Sequence, residues 1–237
     1  MTLTRYGIRE WGGGGIIALL IISAGVAIGM KCQSAIGWSI AVAAGFAWLC
    51  LATFFRSPQR KIRADDSSIV SPADGVVTDI RILDGEEWGF PEGSEILRIG
   101  IFLSVLDVHL NRAPADMTVK AKRYKPGKYL DARHPDATCE NESMLIVGEA
   151  EFGKMRLPIG VRQISGAIAR RIVCCAEPGT ELRKGRPYGM IKFGSRTELY
   201  LTRDECLTIT VKVGEKVYAG TSVMAKIEKQ GAVSCRS

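Results

Sequence analysis

The 237-residue sequence predicts a mainly β domain carried behind an N-terminal two-helix membrane hairpin. Two observations carry that expectation. Residues 11–30 and 32–55 hold no charged side chain, with Lys31 alone between them. After about Ile69, short runs of Val, Ile, Leu and Thr alternate with Gly, Pro and Asp, the texture of strands bounded by turns.

The apolar runs are 20 and 24 residues long, and a bilayer core is crossed by about 20 apolar residues as helix. Spans are expected at about 12–30 and 34–55. Arg5 and Arg9 ahead of the first run would also suit a secretory signal. The second run, and the basic cluster Arg56, Arg60, Lys61 and Arg63 behind it, favour a hairpin with both ends on the cytoplasmic side of the inner membrane. Neither run has a polar face, which disfavours a helical pair inside a soluble core. Residues 1–63 are therefore read as hairpin plus basic linker, and 64–237 as the soluble domain. Phe54, Phe55 and Arg56 are read as interfacial anchors or, equally, as substrate contacts.

The net charge is +7. Residues 1–55 hold Arg5, Arg9, Lys31 and Glu10, so the remainder carries +5. A basic domain suits an anionic partner. With aromatics at 7% and no Lys/Arg tract along a helix, an acidic lipid surface is favoured and nucleic acid is not. Seven cysteines, an odd number with no C-x-x-C pair, make neither a disulfide framework nor a zinc pattern and point to a reducing compartment. Two histidines in the whole chain disfavour a metal site.

Within the soluble part, residues 75–80, 96–103 and 144–147 read as strands, while 160–173 is ambiguous between strand and helix. One pattern repeats at 35 residues. Gly179-Thr-Glu-Leu-Arg-Lys-Gly185 precedes an apolar strand at 188–191, and Gly214-Glu-Lys-Val-Tyr-Ala-Gly220 precedes another at 223–227. Paired glycine turns of this kind resemble the hairpins of the barrel-sandwich fold of biotinyl and lipoyl carrier domains. The expected soluble fold is barrel-sandwich-like.

Three segments hold candidate chemistry. Ser71-Pro-Ala-Asp-Gly75 is a tight-turn signature in which Asp74 on its own reads as a turn cap. His109 follows an apolar strand where it meets polar residues, and histidine is the usual general base near neutral pH. His134, its one competitor, precedes Pro135 in a polar loop and reads as surface. Gly194-Ser195 follows a strand. Glycine permits the distorted backbone that lets a serine hydroxyl approach the preceding carbonyl. Attack there turns the peptide into an ester once a base takes the hydroxyl proton.

Five strings occur in order: Phe54-Phe-Arg-Ser-Pro-Gln-Arg60, Ser71-Pro-Ala-Asp-Gly75, Asp107-Val-His-Leu-Asn-Arg112, Gln163-Ile-Ser-Gly-Ala-Ile-Ala-Arg-Arg-Ile-Val173 and Phe193-Gly-Ser-Arg196. Together they resemble the phosphatidylserine decarboxylases of the short bacterial and archaeal type, from about residue 46 onward. The resemblance implies a proenzyme cleaved between Gly194 and Ser195 into chains 1–194 and 195–237, which stay together as a heterodimer. It implies that Ser195 becomes a pyruvoyl group, a covalent cofactor needing no metal, with His109 as base and Asp74 as the carboxylate beside it. It implies a Schiff base between that group and the lipid amine, and release of CO2 and phosphatidylethanolamine in phospholipid biosynthesis. A further homo-oligomer is left open, as is the choice between phosphatidylserine and archaetidylserine. Two features depart from the pattern. Thr197-Glu198 stand where the short type usually has Val-Asp, and Leu106 stands where the long type has a second histidine. Two rivals remain: a membrane-tethered adaptor without catalysis, and a serine hydrolase, for which no G-x-S-x-G elbow is present.

Overall fold

The computed structural model describes residues 2–62, 65–131, 134, 136–153, 155–167, 171–192 and 195–228. The chain forms two compact units, Met1–Gln59 and Arg60–Ser237.

The first unit is a pair of helices, α1 (Ile8–Cys32) and α2 (Ala35–Phe54), with a two-stranded ribbon of β1 (Thr2–Leu3) and β2 (Arg56–Ser57) across its ends. Both helices are long and apolar enough to cross a membrane. Gln33 takes the left-handed conformation that stops α1, and the Ser34 side chain caps α2 by accepting from the Ile36 N–H. Small residues let the helices approach. A Cβ on Gly25 would lie 2.7 Å from the Gly37 carbonyl oxygen, and one on Gly37 would overlap the backbone of Gly25 and Gly29. Such small-residue contacts are how apolar helices associate where no water drives them together. Phe54 and Phe55 are buried, their rings edge to face at 5.2 Å.

Among its described residues the second unit is β, apart from one short helix, α3 (Ala137–Glu140), and a 3-10 turn. Its strands are β3 (Ser68–Val70), β4 (Gly75–Asp84), β5 (Glu95–Leu103), β6 (Leu110–Arg112), β7 (Met117–Lys125), β8 (Ser143–Phe152) and β9 (Met155–Ile164). They continue as β10 (Ile172–Cys174), β11 (Glu181–Leu182), β12 (Pro187–Ile191), β13 (Ser195–Thr202), β14 (Leu207–Ile209), β15 (Lys216–Val217) and β16 (Val223–Ile227). The ambiguous stretch at 160–173 is strand at its start and end. A curled antiparallel sheet of order β11-β7-β8-β9-β13-β5-β4-β15 is flanked by two three-stranded sheets, β10-β12-β6 and β14-β16-β3. The core lies against the main sheet, with Ile99, Ile101, Leu103, Ile146, Ile159, Val161 and Leu199 all buried. Alternation puts these side chains on one face and Arg98, Arg162 and Glu198 on the other.

The glycine hairpins recur as the sequence suggests, and they do more than turn the chain. Gly179, Gly185, Gly214 and Gly220 all have positive φ, a conformation that glycine adopts without steric cost. β11 and β15, one in each hairpin, form the two edges of the main sheet. The curl brings those edges together, so that a Cβ on Gly220 would lie 3.3 Å from the Gly185 Cα.

A larger repeat surrounds them. Pro72-Ala-Asp74 between β3 and β4 recurs 42 residues later as Pro114-Ala-Asp116 between β6 and β7. The hydrogen bonds recur with it. Val70 N–H donates to Pro114 C=O and Arg112 N–H to Pro72 C=O; Gly220 N–H donates to Ser71 C=O and Gly185 N–H to Ala113 C=O. β4 and β7 even bulge at matching places, between Val77 and Asp79 and between Val119 and Ala121. The β unit is thus two copies of one β-turn-β plan about an approximate twofold, with β9 and β13 paired at its centre.

Candidate active site

Ser195 is the first residue of β13 and pairs with Leu103 of β5. Upstream, β12 is paired with β6, Met190 opposite Leu110 and Gly189 opposite Asn111. The Ile191 N–H donates to the His109 carbonyl at 3.2 Å. Downstream, Asn111 Nδ2 donates to Thr197 Oγ1 at 2.9 Å, and Gln163 Nε2 donates to Asn111 Oδ1 at 2.8 Å. Both sides of the β12–β13 link are therefore tied to the same short strand.

This register sets His109 and Ser195 on the two sides of the β12–β13 link, His109 hydrogen-bonded to Ile191 and Ser195 opening β13. Moving along β6 from Asn111 to His109 moves from Gly189 to Ile191 on β12, toward the link. On β13, Ser195 lies two residues from Thr197 in that same direction, and the two share a face. Both His109 and Ser195 are fully buried. Phe193 and Gly194, including the expected cleavage position at Gly194, lie outside the described residues, as does Arg63 of the basic cluster.

His109 Nδ1 lies 3.0 Å from the Asp107 carbonyl oxygen. A carbonyl only accepts, so this contact puts a proton on Nδ1; in the neutral ring the lone pair is then on Nε2, the tautomer of a general base. Ser195 Oγ has no hydrogen-bond partner among the described residues, and neither has Ser165 Oγ or Gln163 Oε1. A buried hydroxyl left so costs about 1–3 kcal/mol.

Asp74 is buried at the start of β4. Its Oδ1 accepts the Ala219 N–H at 2.8 Å, and its Oδ2 pairs with Arg60 NH2 at 2.6 Å. Arg60 also donates to the Ala219 carbonyl and lies 5.7 Å from the Tyr218 ring centroid. Burial pulls the Arg112 guanidinium below its ordinary pKa, Arg60 adds to this, and Asp74 opposes both. The remaining histidine, His134, is half-exposed beside Asp136.

The opposite face of β13 is a buried ionic layer. Arg196 reaches Glu198 at 2.9 Å and Asp79 at 2.6 Å, while Arg98 joins Asp79 at 3.0 Å and Glu198 at 3.7 Å. Arg162 stands 3.6 Å from Glu198, and the Tyr200 hydroxyl donates to Glu198 at 2.6 Å. Burial works to raise Asp79, yet the hydrogen bond and charge of Arg196 outweigh it and hold the carboxyl below its usual range. Burial pushes the Tyr200 phenol well above its ordinary pKa, with Glu198 adding to it. This layer holds β13 between β5 and β9 independently of the chain upstream of Ser195.

Asp74, His109 and Ser195 are expected from the sequence, whereas it gives Arg60 only a place in the basic cluster and Asn111 and Thr197 no part in a site. Asn111 and Arg60 stand inside the quoted strings, two residues from His109 and at the end of the Phe54 string. Among the described residues no group of three His, Cys, Asp or Glu could hold a metal ion.

Residues 48–225 match the family model of phosphatidylserine decarboxylase. A phosphatidylserine decarboxylase proenzyme of Rhodopirellula baltica is 43% identical over 192 residues, covering 81% of this chain and 78% of the relative. Those of Pelobacter propionicus and Geobacter sulfurreducens are 40% identical over 216 residues and 44% over 177. They cover 90% and 74% of this chain and 92% and 77% of their own.

Proposed function

The chain belongs to the phosphatidylserine decarboxylase family, and from that premise we propose that it decarboxylates phosphatidylserine after cleaving itself before Ser195. The observation that carries the reading is the buried Ser195 hydroxyl without a partner among the described residues, while the upstream strand β12 is tied through Ile191 to His109.

Residue by residue the chemistry runs as follows. His109 Nε2 takes the Ser195 hydroxyl proton, and Oγ attacks the carbonyl carbon of Gly194. The C–N bond breaks as the C–O bond forms, leaving an ester and the amine of residue 195. Loss of the residue 195 α-proton expels the Gly194 carboxylate and leaves dehydroalanine. Water then replaces its nitrogen as ammonia and yields the pyruvoyl ketone. The Asp107 carbonyl fixes the His109 ring, and Asp74, whose oxygens hold Ala219 N–H and Arg60, is the carboxylate we assign to support the imidazolium that forms. Such a ketone supplies a carbonyl for the lipid amine to condense with and an electron sink for the bond to the departing carboxylate. His109 is then placed to return a proton to the former α-carbon of the substrate. The fit rests on the residues present: a buried serine, a histidine as base, and the buried Gln163 Oε1 and Ser165 Oγ, which have no partner among the described residues.

After cleavage the chains 1–194 and 195–237 remain one body, because β13 lies between β5 and β9, and β16 between β3 and β14. The α1–α2 pair anchors the enzyme in the inner membrane with both ends in the cytoplasm. Ser195→Ala is expected to give an uncut chain on a denaturing gel and no CO2 release from phosphatidylserine vesicles. Normal cleavage of that variant would overturn the assignment.

A further inference from the structure

The link between β5 and β6 runs from Leu103, the partner of Ser195, to His109. It begins as a tight turn: the Asp107 N–H donates to the Ser104 carbonyl at 2.9 Å. The Asp107 carboxylate clamps it by accepting from both Ser104 N–H and Ser104 Oγ at 2.9 Å, and by pairing with Lys216 Nζ at 2.5 Å. Burial works to raise the Asp107 carboxyl, but the hydrogen bonds from Lys216 and Ser104 prevail and keep it below its ordinary pKa.

Turn centres are normally Gly, Asn, Asp, Pro or Ser. Here they are Val105 and Leu106, exposed by 48% and 83%. Tyr218, 49% exposed, follows Lys216 on the neighbouring chain, with Arg60 against its ring. Two aliphatic residues at the tip, a half-exposed tyrosine and the part-exposed Lys216, paired with Asp107, make the composition of a membrane-interface anchor: apolar tip inward, ring and ammonium at headgroup level. Charge matches too, since residues 56–237 carry +5 and bacterial bilayers present anionic headgroups.

We infer that the Val105–Leu106 turn dips into an anionic phospholipid bilayer and seats the Ser195–His109 site on it. The choice of a bilayer rests on the lipid-directed reading of the site. The tip is three residues from the strand partner of Ser195 and three from His109, so its insertion sets the depth at which a headgroup meets the reacting groups. Asp107 joins the two events, its carboxylate holding the tip and its carbonyl holding His109 Nδ1.

The test uses the full chain in vesicles of phosphatidylglycerol, phosphatidylcholine and long-chain phosphatidylserine, with plain or brominated acyl chains. In Leu106→Trp, bromine is expected to quench fluorescence beyond the loss shown by the parent chain, whose own tryptophans give the background. In Val105→Asp/Leu106→Asp, chain cleavage is expected to be complete and turnover of a short-chain, water-soluble phosphatidylserine unchanged. Turnover of the vesicle-bound lipid should fall at least about tenfold, the weight of one aliphatic side chain's burial. No added quenching, or vesicle turnover within twofold of the parent, overturns the inference. A blue shift without bromine quenching assigns the tip to a protein partner and overturns it equally. If the parent turns over neither lipid, the proposed function fails, while the quenching still decides the docking.

Discussion

Asp74 and Asp116 occupy the same turn in the two halves of the β unit. Each accepts, at 2.8 Å, a backbone N–H of the glycine hairpin that faces it: Ala219 for Asp74, Lys184 for Asp116. There the likeness ends. Asp116 is exposed, whereas Asp74 is buried with Arg60 on its second oxygen. The central strands diverge likewise. Where β13 pairs Ser195 with Leu103, the second half pairs Leu157 of β9 with Ala150. Turn geometry accounts for the aspartate in both copies. The burial, the arginine, the serine and the histidine belong to one copy alone, the half to which the proposed chemistry is assigned.

Breaking that difference at its strongest point gives the largest expected effect. His109→Ala should slow chain cleavage by about 10²–10⁴-fold, the usual weight of a positioned general base. Ser67→Ala, 42 residues earlier at the matching place, should cleave normally. Time courses on denaturing gels compare the two, and equal rates would remove His109 as the base.

Glu198 tests the layer behind β13. Its second-half counterpart by register is Gly160, paired with Val147 as Glu198 is with Gly100. Glu198→Ala would leave Arg196, Arg98 and Arg162 buried without their shared carboxylate, and should lower the unfolding free energy by about 3–5 kcal/mol. Denaturant melts of the uncut Ser195→Ala background measure this without interference from cleavage.

The two aspartates come next. Asp74→Asn should slow cleavage about tenfold, equivalent to about 1.4 kcal/mol on the barrier, if its carboxylate supports the His109 imidazolium as proposed. Asp116→Asn should leave cleavage unchanged and shift stability by no more than about 0.5 kcal/mol, as exposed sites do. Equal slowing in both would reduce Asp74 to a turn cap.

The smallest effect is in pH. The Asp107 carboxyl is held below its ordinary value, so its contribution to the Ser104–Asp107 turn is fully present above the usual carboxylate pKa of about 3.9. That contribution is lost as pH falls through the lowered folded value. Amide exchange at Val105 and Leu106 should therefore quicken only below that range, and Asp107→Asn should show the fast exchange at all pH.

Much of this was legible in the chain. The two uncharged runs gave both helices, because length and lack of charge leave few alternatives. The glycine hairpins were readable because a positive φ selects glycine. The proline-alanine-aspartate repeat was open to view at a spacing of 42 residues, but three residues are too few to stand out until the hydrogen bonds between the copies are seen. Asn111 bridging to Thr197, and Arg60 reaching Asp74, depend on strand register and a chain crossing. Both are tertiary facts that no local pattern encodes.

The central claim is that residue 195 ceases to be a serine. Intact mass measurement of the purified active protein, denatured without reduction of carbonyls, tests it most directly. Two chains are expected, meeting between residues 194 and 195, the smaller lighter by one ammonia than a serine-headed fragment and closed to Edman sequencing. A single full-length chain in a preparation that releases CO2 from phosphatidylserine, or a small chain beginning with ordinary serine, would contradict the account.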